Sequence, residues 1–241
     1  MPITVIAIDD HFLIREGIRS LLAGHPDVQL VAEGWAGEHL LHLVQVHSPD
    51  IVLLDLGLPA TPQAGQTPPF QAFPALATLA QNHPRTRVII VSQHDSPTLV
   101  EGAIELGVRG YLLKYDALTQ QLVEAIRVVH RGGAYFSTAI WARLQGQTSP
   151  STVHLSPRQQ EILWALAIHP DYSQARHARQ LGISENTLKQ HLRHIYRALG
   201  ATNLTSAILK ALQAEILPWT LLHSHLATQQ EAYSLRDKQQ S

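Results

Sequence analysis

The chain has 241 residues, 45% of them hydrophobic, with a formal net charge of −1 and no cysteine. This length leaves room for one large or two modest domains, and the composition is that of an ordinary globular protein. The lack of cysteine excludes a disulfide framework and thiolate chemistry. No apolar run approaches the roughly 20 residues of a membrane helix, and the chain opens directly on a strand-like run without a signal peptide. We therefore expect a cytoplasmic protein.

The charge is unevenly distributed. Residues 1–132 carry eight Lys and Arg against thirteen Asp and Glu, a net of −5, whereas residues 154–217 carry seven against four, a net of +3. An acidic half and a basic half predict two domains, of which the second is a candidate for binding nucleic acid. We expect domains at 1–132 and 154–217, a polar linker at 133–153, and a frayed helix or tail without an assigned role at 218–241.

Five short apolar runs alternate with helical patterns in the first domain. The predicted strands are 3–8, 28–32, 50–54, 88–91 and 110–113. The predicted helices are 11–23, 37–47, about 70–81, 96–106 and 119–131. Continuously apolar strands that alternate with helices are typical of a parallel sheet covered on both faces. The sequence therefore predicts a doubly wound α/β domain with a five-stranded parallel sheet.

Polar residues stand where four of these strands end. They are Asp9, Asp10, Asp55, Ser92 and Lys114. The carboxyl ends of parallel strands share one edge of the sheet, where such folds bind their ligands. Three carboxylates brought together raise one another's pKa, and a divalent cation such as Mg²⁺ would relieve that cost. The fifteen histidines are scattered and show no spacing typical of a dedicated histidine metal site.

These residue types suit phosphoryl transfer. An aspartate beside Mg²⁺ can act as a nucleophile toward a phosphoryl group and form an acyl phosphate, and we assign Asp55 to that role. Ser92 and Lys114 would hold the phosphoryl oxygens. The expected metal ligands are Asp9, Asp10, Asp55 and the main-chain carbonyl of Gly57.

A proline-rich stretch follows the third strand. Its prolines are Pro59, Pro62, Pro68, Pro69 and Pro74. Proline fixes φ and removes a hydrogen-bond donor, so the early part of this stretch is predicted to be a semi-rigid loop. Two interpretations stay open, a tolerated insertion and a surface that recognises a partner.

Four motifs of the first domain resemble those of a response-regulator receiver domain. They are Ile8-Asp9-Asp10-His11, Leu54-Asp55-Leu56-Gly57-Leu58-Pro59, Val91-Ser92 and Gly110-Tyr111-Leu112-Leu113-Lys114. The resemblance implies that a histidine kinase phosphorylates Asp55. It also implies that Ser92 and Tyr111 shift inward on phosphorylation and remodel the surface of the fourth helix, fifth strand and fifth helix. The proline-rich stretch departs from the family, because it is longer than usual and lacks the family's Asp-Gly.

The second domain has helical patterns at 158–167, 173–181 and 185–199, and a fourth helix after Asn203. The third helix carries an apolar stripe of Leu188, Leu192, Ile195 and Leu199. Basic and amide residues lie off that stripe. A helix, a glycine-containing turn and a helix of this kind are the helix-turn-helix pattern, whose second helix enters the major groove. On spacing alone, a solvated helix face remains the alternative.

The detailed sequence resembles a LuxR-type DNA-binding domain, through Leu155-Ser156-Pro157-Arg158, Leu181-Gly182-Ile183-Ser184 and Thr187-Leu188-Lys189-Gln190-His191-Leu192. The resemblance implies base contacts by Lys189, Gln190 and Arg193. It implies contacts near the DNA backbone by Asn186, Thr187 and His191. Ala198 and Leu204 depart from the family, which usually has Lys and Arg there, so backbone affinity is expected to be lower.

Together the two resemblances predict a NarL/FixJ-type response regulator, a transcription factor and not an enzyme, that works as a homodimer on promoter DNA and is controlled by a sensor histidine kinase. A Mg²⁺-dependent phosphohydrolase is the rival enzyme. It would need a second carboxylate two residues after Asp55, where Gly57 stands. A regulator that works without phosphorylation, through protein contacts, is the remaining alternative.

Overall fold

The computed structural model describes residues 1–63, 69–115, 118–145, 154–170, 172–214 and 216–217. The chain divides into two compact units, Met1–Gly146 and Gln147–Ser241. The tail at 218–241 and part of the proline-rich stretch, 64–68, lie outside the described residues. Within the described part of the chain, no helix has the length and apolar character needed to cross a membrane.

The first unit is a parallel sheet surrounded by helices. Its strands are β1 (Ile3–Ile8), β2 (Val28–Gly34), β3 (Ile51–Leu54), β4 (Arg87–Ser92), β5 (Gly110–Leu113) and β6 (Tyr135–Phe136). Its helices are α1 (Phe12–Ala23), α2 (Glu38–His47), α3 (Ala72–Asn82), α4 (Pro97–Glu105), α5 (Leu118–His130) and α6 (Thr138–Gln145). The strand order is β2-β1-β3-β4-β5-β6, so the predicted doubly wound parallel fold is confirmed.

The prediction of five strands was wrong by one. β6 pairs in parallel with β5, through Gly110 opposite Tyr135 and Tyr111 opposite Phe136. Two residues are too few to show a strand periodicity, so only the tertiary pairing identifies this strand. β6 and α6 follow the last predicted helix, within the segment expected to be linker, and α6 contacts both α4 and β5.

Apolar side chains on both faces of the sheet are buried. Successive strand residues point to opposite faces, and Val5, Ile6, Ala7 and Ile8 of β1 are each at most 1% exposed. On one face the core joins the sheet to α1 and α5. From β1 the chain passes to β2 on one side of the sheet and then to β3 on the other side. The carboxyl ends of the neighbouring strands β1 and β3 therefore flank the switch point, where ligands bind in such folds.

The second unit has four described helices, α7 (Pro157–Ile168), α8 (Gln174–Gln180), α9 (Glu185–Leu199) and α10 (Leu204–Gln213). The N-caps follow the expected chemistry. Ser156 and Gln159 form a capping box at α7, and the side chains of Ser184 and Asn203 accept backbone N–H bonds at α9 and α10. Gly200 ends α9 with φ of 61°, a left-handed conformation that favours glycine.

Candidate metal centre and nucleic-acid interface

The strand ends of the first unit bring a lysine between two buried aspartates. Asp9 follows β1, Asp55 follows β3 and Lys114 follows β5. Asp9 and Asp55 are only 2% and 4% exposed. The Lys114 ammonium nitrogen lies 2.7 Å from Oδ2 of Asp9 and 2.7 Å from Oδ2 of Asp55. One cation thus neutralises part of the charge of both carboxylates at the carboxyl edge of the sheet.

The environment of Asp9 opposes its ionisation. Burial raises the pKa of the Asp9 carboxyl, and the nearby charge of Asp55 raises it further. Lys114 and the backbone N–H of His11 act in the opposite direction, but they do not outweigh burial. A divalent cation would favour the ionised carboxylate, so this pocket gains from binding one.

Asp10 and His11 complete a group of four possible metal ligands. One ligand atom from each of Asp9, Asp10, His11 and Asp55 can be chosen such that all lie within 4.8 Å of one another. The Nδ1 atom of His11 lies 2.7 Å from Oδ1 of Asp10 and 3.3 Å from Oδ1 of Asp9. The sequence assigned no role to His11. Carboxylate oxygens are the donors that hard divalent cations prefer, so this donor set fits a metal ion.

Gly57 lies beside the carboxylate of Asp55. A Cβ atom at this position would stand 3.5 Å from Oδ2 and 3.9 Å from Oδ1 of Asp55. The contact would be an ordinary van der Waals one, so a small side chain fits there, but a larger one would cover the carboxylate. Glycine therefore leaves this side of Asp55 open.

Ser92 and Tyr111 lie in the interior next to this edge. Ser92 ends β4, its Oγ accepts the backbone N–H of His94 at 3.2 Å, and its carbonyl accepts that of Lys114 at 2.9 Å. The Tyr111 side chain is fully buried, and its hydroxyl donates to the His94 carbonyl at 2.7 Å. Burial raises the pKa of Tyr111 to about 12, with a hydrogen bond to Ser92 acting against it. The phenol is therefore neutral and available as a donor.

The ends of the proline-rich stretch are bound to the start of α2. Backbone N–H groups of Gly37 and Glu38 donate to the carbonyls of Pro59 and Ala60 at 2.8 and 3.0 Å. The ring of Phe70 covers Gly37 so closely that a Cβ there would lie 2.0 Å from Cδ2 of the ring. The described ends of this stretch thus supply acceptors for N–H groups that a helix start leaves unsatisfied.

In the second unit, α9 buries the predicted apolar stripe and exposes most of the predicted contact residues. Leu188, Leu192, Ile195 and Leu199 are buried. Asn186, Lys189, Gln190 and Arg193 are exposed, whereas Thr187 and His191 are half-buried. The Thr187 N–H donates to Ser184 Oγ at 3.1 Å, so this residue also belongs to the N-cap. His194 and Arg197, which the sequence did not single out for contacts, are exposed on the same helix.

The other described helices hold α9 in place, because α7, α8 and α10 all contact it. The turn before α9 contains Gly182 with φ of 67°, which requires a residue that tolerates the left-handed region. The guanidinium of Arg158 donates to the Leu181 carbonyl and ties the start of α7 to this turn. α8, this turn and α9 form the helix-turn-helix expected from the sequence, and the polar face of α9 is the one that such a motif turns toward DNA.

Two family models match the chain. Residues 5–127 match the response regulator receiver domain, and residues 153–211 match the bacterial regulatory proteins of the luxR family. Curated relatives include the transcriptional regulatory protein DegU of Brevibacillus brevis, 28% identical over 88% of this chain and 93% of DegU. They also include UhpA of Salmonella typhimurium, 31% identical over 83% of this chain and 93% of UhpA.

Solved structures share the fold. A structure of two RcsB dimers bound to two parallel DNAs covers 88% of this chain and 99% of the RcsB chain, with a TM-score of 0.52 and 20% identity. A two-component response regulator of the LuxR family from Aurantimonas covers 59% of this chain and 95% of its own, with a TM-score of 0.52 and 28% identity.

Proposed function

The chain belongs to the two-component response regulators that join a receiver domain to a LuxR-type DNA-binding domain, and on that premise we propose that a histidine kinase phosphorylates Asp55 to control DNA binding by α9. The observation that carries the proposal is the position of Lys114, 2.7 Å from both Asp9 and Asp55 at the carboxyl edge of the sheet. Buried carboxylates that share one cation are the arrangement that an acyl-phosphate site needs, because the cation remains to neutralise the added phosphoryl charge.

The transfer is a displacement at phosphorus. An Oδ atom of Asp55 forms a bond to phosphorus, the bond between phosphorus and the kinase's imidazole nitrogen breaks, and that nitrogen keeps the electron pair and takes up a proton. Bound Mg²⁺ would neutralise charge on the phosphoryl oxygens, with Asp9, Asp10, Asp55 and the Gly57 carbonyl as its protein ligands. The Lys114 ammonium would hold a phosphoryl oxygen. The Ser92 hydroxyl would donate to another.

The response would pass through Tyr111. Its hydroxyl donates a hydrogen bond to the carbonyl of His94 in the loop between β4 and α4. Its backbone carbonyl accepts the N–H of Ser137, directly before α6, at 3.0 Å. A movement of Ser92 and Tyr111 toward the phosphoryl group would therefore alter α4, β5 and the segment that leads toward the second domain. We assign the receiver to 1–132 and the DNA-binding domain to 154–217. The linker assigned to 133–153 begins with β6 and α6, which pack on the receiver.

At the DNA, the polar side chains of α9 would make two kinds of contact. Lys189, Gln190 and Arg193 would contact base edges in the major groove, where Arg and Lys suit guanine and Gln suits adenine. Asn186, Thr187 and His191 would contact the DNA backbone and set the position of the helix. Helix-turn-helix proteins that bind inverted half-sites do so as dimers, so a homodimer on promoter DNA in the cytoplasm is the expected working form.

The acceptor is tested by intact mass after incubation with Mg²⁺ and acetyl phosphate. The wild type should gain one phosphoryl group, and Asp55→Asn should not. Asp95→Asn, which changes a partly exposed carboxylate in the loop after β4, is the matched control and should be modified like the wild type. An adduct that persists in Asp55→Asn, or a failure of the wild type to react with either acetyl phosphate or a phosphorylated kinase, would contradict the assignment.

A further inference from the structure

Arg176, an exposed residue of α8, is stacked on an aromatic ring. Its guanidinium carbon lies 3.5 Å from the centroid of the Tyr172 ring, which belongs to the turn between α7 and α8. A planar guanidinium that rests on a ring face directs its N–H donors along the plane of the ring, outside the contact. The stack also limits the rotamers of a long side chain. Arg176 is therefore a surface cation with a defined position.

The ring under Arg176 is itself fixed by two histidines. It stacks on the ring of His169, with centroids 4.5 Å apart and planes inclined by 5°. The carbonyl of His169 accepts the Tyr172 N–H at 3.1 Å and a hydrogen bond from Nε2 of His177 at 3.0 Å. Because a carbonyl can only accept, His177 carries a proton on Nε2. His177 is 2% exposed, so it anchors this turn to the interior of the second unit.

The stack lies on the helix that meets the DNA backbone in this kind of motif. The first helix of a helix-turn-helix crosses the backbone while the second enters the major groove, and α8 is the first helix here. Five of the seven Lys and Arg residues between 154 and 217 are exposed on these two helices, Arg176, Arg179, Lys189, Arg193 and Arg197. Guanidinium groups bind phosphate through two parallel N–H bonds, so a guanidinium held in place on α8 suits this backbone.

From this arrangement we propose that Arg176 binds a phosphate of duplex DNA and that Tyr172 is the positioning residue that holds its guanidinium ready for this contact. The proposal rests on the proposed function and adds to it a contact outside α9. A phosphate contact strengthens binding to every sequence and does not distinguish bases. The competing role of the pair is a cation–π contact that only stabilises the turn.

The test is the affinity of the full-length protein for a duplex selected from random DNA, and for mismatched duplexes, at several salt concentrations. Arg176→Gln removes the guanidinium. Tyr172→Leu removes the ring and keeps the charge, whereas Tyr172→Phe keeps both. Arg85→Gln is the matched control, because it removes the same charge from an exposed arginine of the first unit, between α3 and β4. Urea unfolding measures the stability of each variant.

Arg176→Gln should weaken binding by about tenfold on selected and mismatched duplexes alike, because a hydrogen bond to a charged group is lost. The slope of log affinity against log salt should become shallower by about 0.9, the value for one phosphate contact. Tyr172→Leu should weaken binding but keep the slope of the wild type, because the charge remains. Tyr172→Phe and Arg85→Gln should bind like the wild type.

The salt slope separates the two roles of the pair. If Arg176→Gln keeps the slope of the wild type, with or without a loss of stability, the pair only supports the turn and the proposal is wrong. An equal change of slope in Arg85→Gln would show an effect of net charge rather than a contact, and would also overturn it. If Tyr172→Leu binds like the wild type, the ring does not position Arg176.

Failure of the proposed function gives a different result. In that case the wild type binds no duplex, or Lys189→Ala and Arg193→Ala bind the selected duplex like the wild type. Normal discrimination by the wild type together with an unchanged salt slope in Arg176→Gln would instead leave the role of α9 intact and exclude only the contact from α8.

Discussion

The ammonium nitrogen of Lys114 lies 2.7 Å from Oδ2 of Asp55, and only 5% of either side chain is exposed. The same nitrogen contacts Asp9, so two buried carboxylates depend on one buried cation. Such a pair is strongly coupled, because removing one partner leaves an uncompensated charge in the interior. The stability of the receiver and the chemistry of its acceptor therefore depend on the same side chain.

Replacing Lys114 with methionine should destabilise the receiver by about 3 kcal/mol at neutral pH in the absence of metal. Lys114 opposes the rise that burial causes in the pKa of Asp9, so its loss raises that pKa further. A carboxyl with a raised folded-state pKa costs stability above its unfolded pKa, and the cost disappears as the pH falls. Urea unfolding should therefore show a smaller difference in the free energy of unfolding between Lys114→Met and the wild type at about pH 5 than at neutral pH.

Lys189→Met is the control for this experiment, because Lys189 is exposed on α9 and its replacement should change stability by less than about 0.5 kcal/mol. Mg²⁺ should restore part of the stability lost in Lys114→Met. A loss that is independent of pH and of Mg²⁺ would show that Lys114 acts through packing rather than through charge.

Replacing Gly37 with alanine should destabilise the first unit by about 1–3 kcal/mol. The backbone of Gly37 has φ of −60°, so alanine introduces no backbone strain, and the cost comes from the Cβ that would lie 2.0 Å from the Phe70 ring. A double-mutant cycle with Phe70→Leu checks the cause by urea unfolding. The cost of Gly37→Ala should shrink in the Phe70→Leu background, and an equal cost in both backgrounds would contradict the contact.

Arg127 should stabilise the receiver in a pH-dependent way. Its guanidinium donates two hydrogen bonds to Asp27, at 2.8 and 2.9 Å, and these bonds hold the pKa of Asp27 below its usual value. A lowered carboxyl pKa adds stability above the unfolded pKa of 3.8, and that stability is lost as the pH falls through the lower folded value. Because Asp27 is 48% exposed, solvent screening limits the effect to about 1 kcal/mol or less.

The measurement is the free energy of unfolding of Arg127→Gln and of the wild type at neutral pH and at pH values below 3.8, the unfolded pKa of Asp27. The wild type should have the larger free energy of unfolding at neutral pH, and the two proteins should become equally stable in acid. A difference that grows in acid would mean that the pair does not act through the ionised carboxylate.

Replacing Lys189 or Arg193 with alanine should weaken binding to a selected DNA site by about 1–3 kcal/mol each and relax discrimination at one base position. Arg179→Ala changes an exposed arginine on α8 and is the control. Its effect should be smaller and equal for all DNA sequences, and it should reduce the salt dependence of binding. The measurement is the affinity of each variant for the selected duplex and for duplexes with one mismatched base pair. If both α9 variants keep the affinity and the base discrimination of the wild type, Lys189 and Arg193 are not base contacts.

The acidic pocket was predictable because its residues follow from topology. Apolar runs identify the strands, and parallel strands bring Asp9, Asp55 and Lys114 to one edge regardless of the loops between them. The buried stripe of α9 was likewise predictable from its 3.6-residue period, which leaves Lys189, Gln190 and Arg193 outside.

Other features depend on contacts between segments that are distant or irregular. β6 has only two residues and is defined by its pairing with Gly110 and Tyr111. The packing of Phe70 on Gly37 joins segments that no local pattern relates. His11 stands next to Asp10 in the sequence, but only its side-chain conformation shows that Nδ1 faces both carboxylates.

If phosphorylation of Asp55 controls DNA binding by α9, the affinity of the protein for DNA must differ before and after phosphorylation. A binding site selected from random duplex DNA would be titrated with wild-type protein and Asp55→Asn, each with and without acetyl phosphate and Mg²⁺. We expect acetyl phosphate and Mg²⁺ to change the Kd of the wild type for this DNA by about fivefold or more and to leave that of Asp55→Asn unchanged. Equal affinity of phosphorylated and unphosphorylated wild type, with phosphorylation verified by mass, would contradict it.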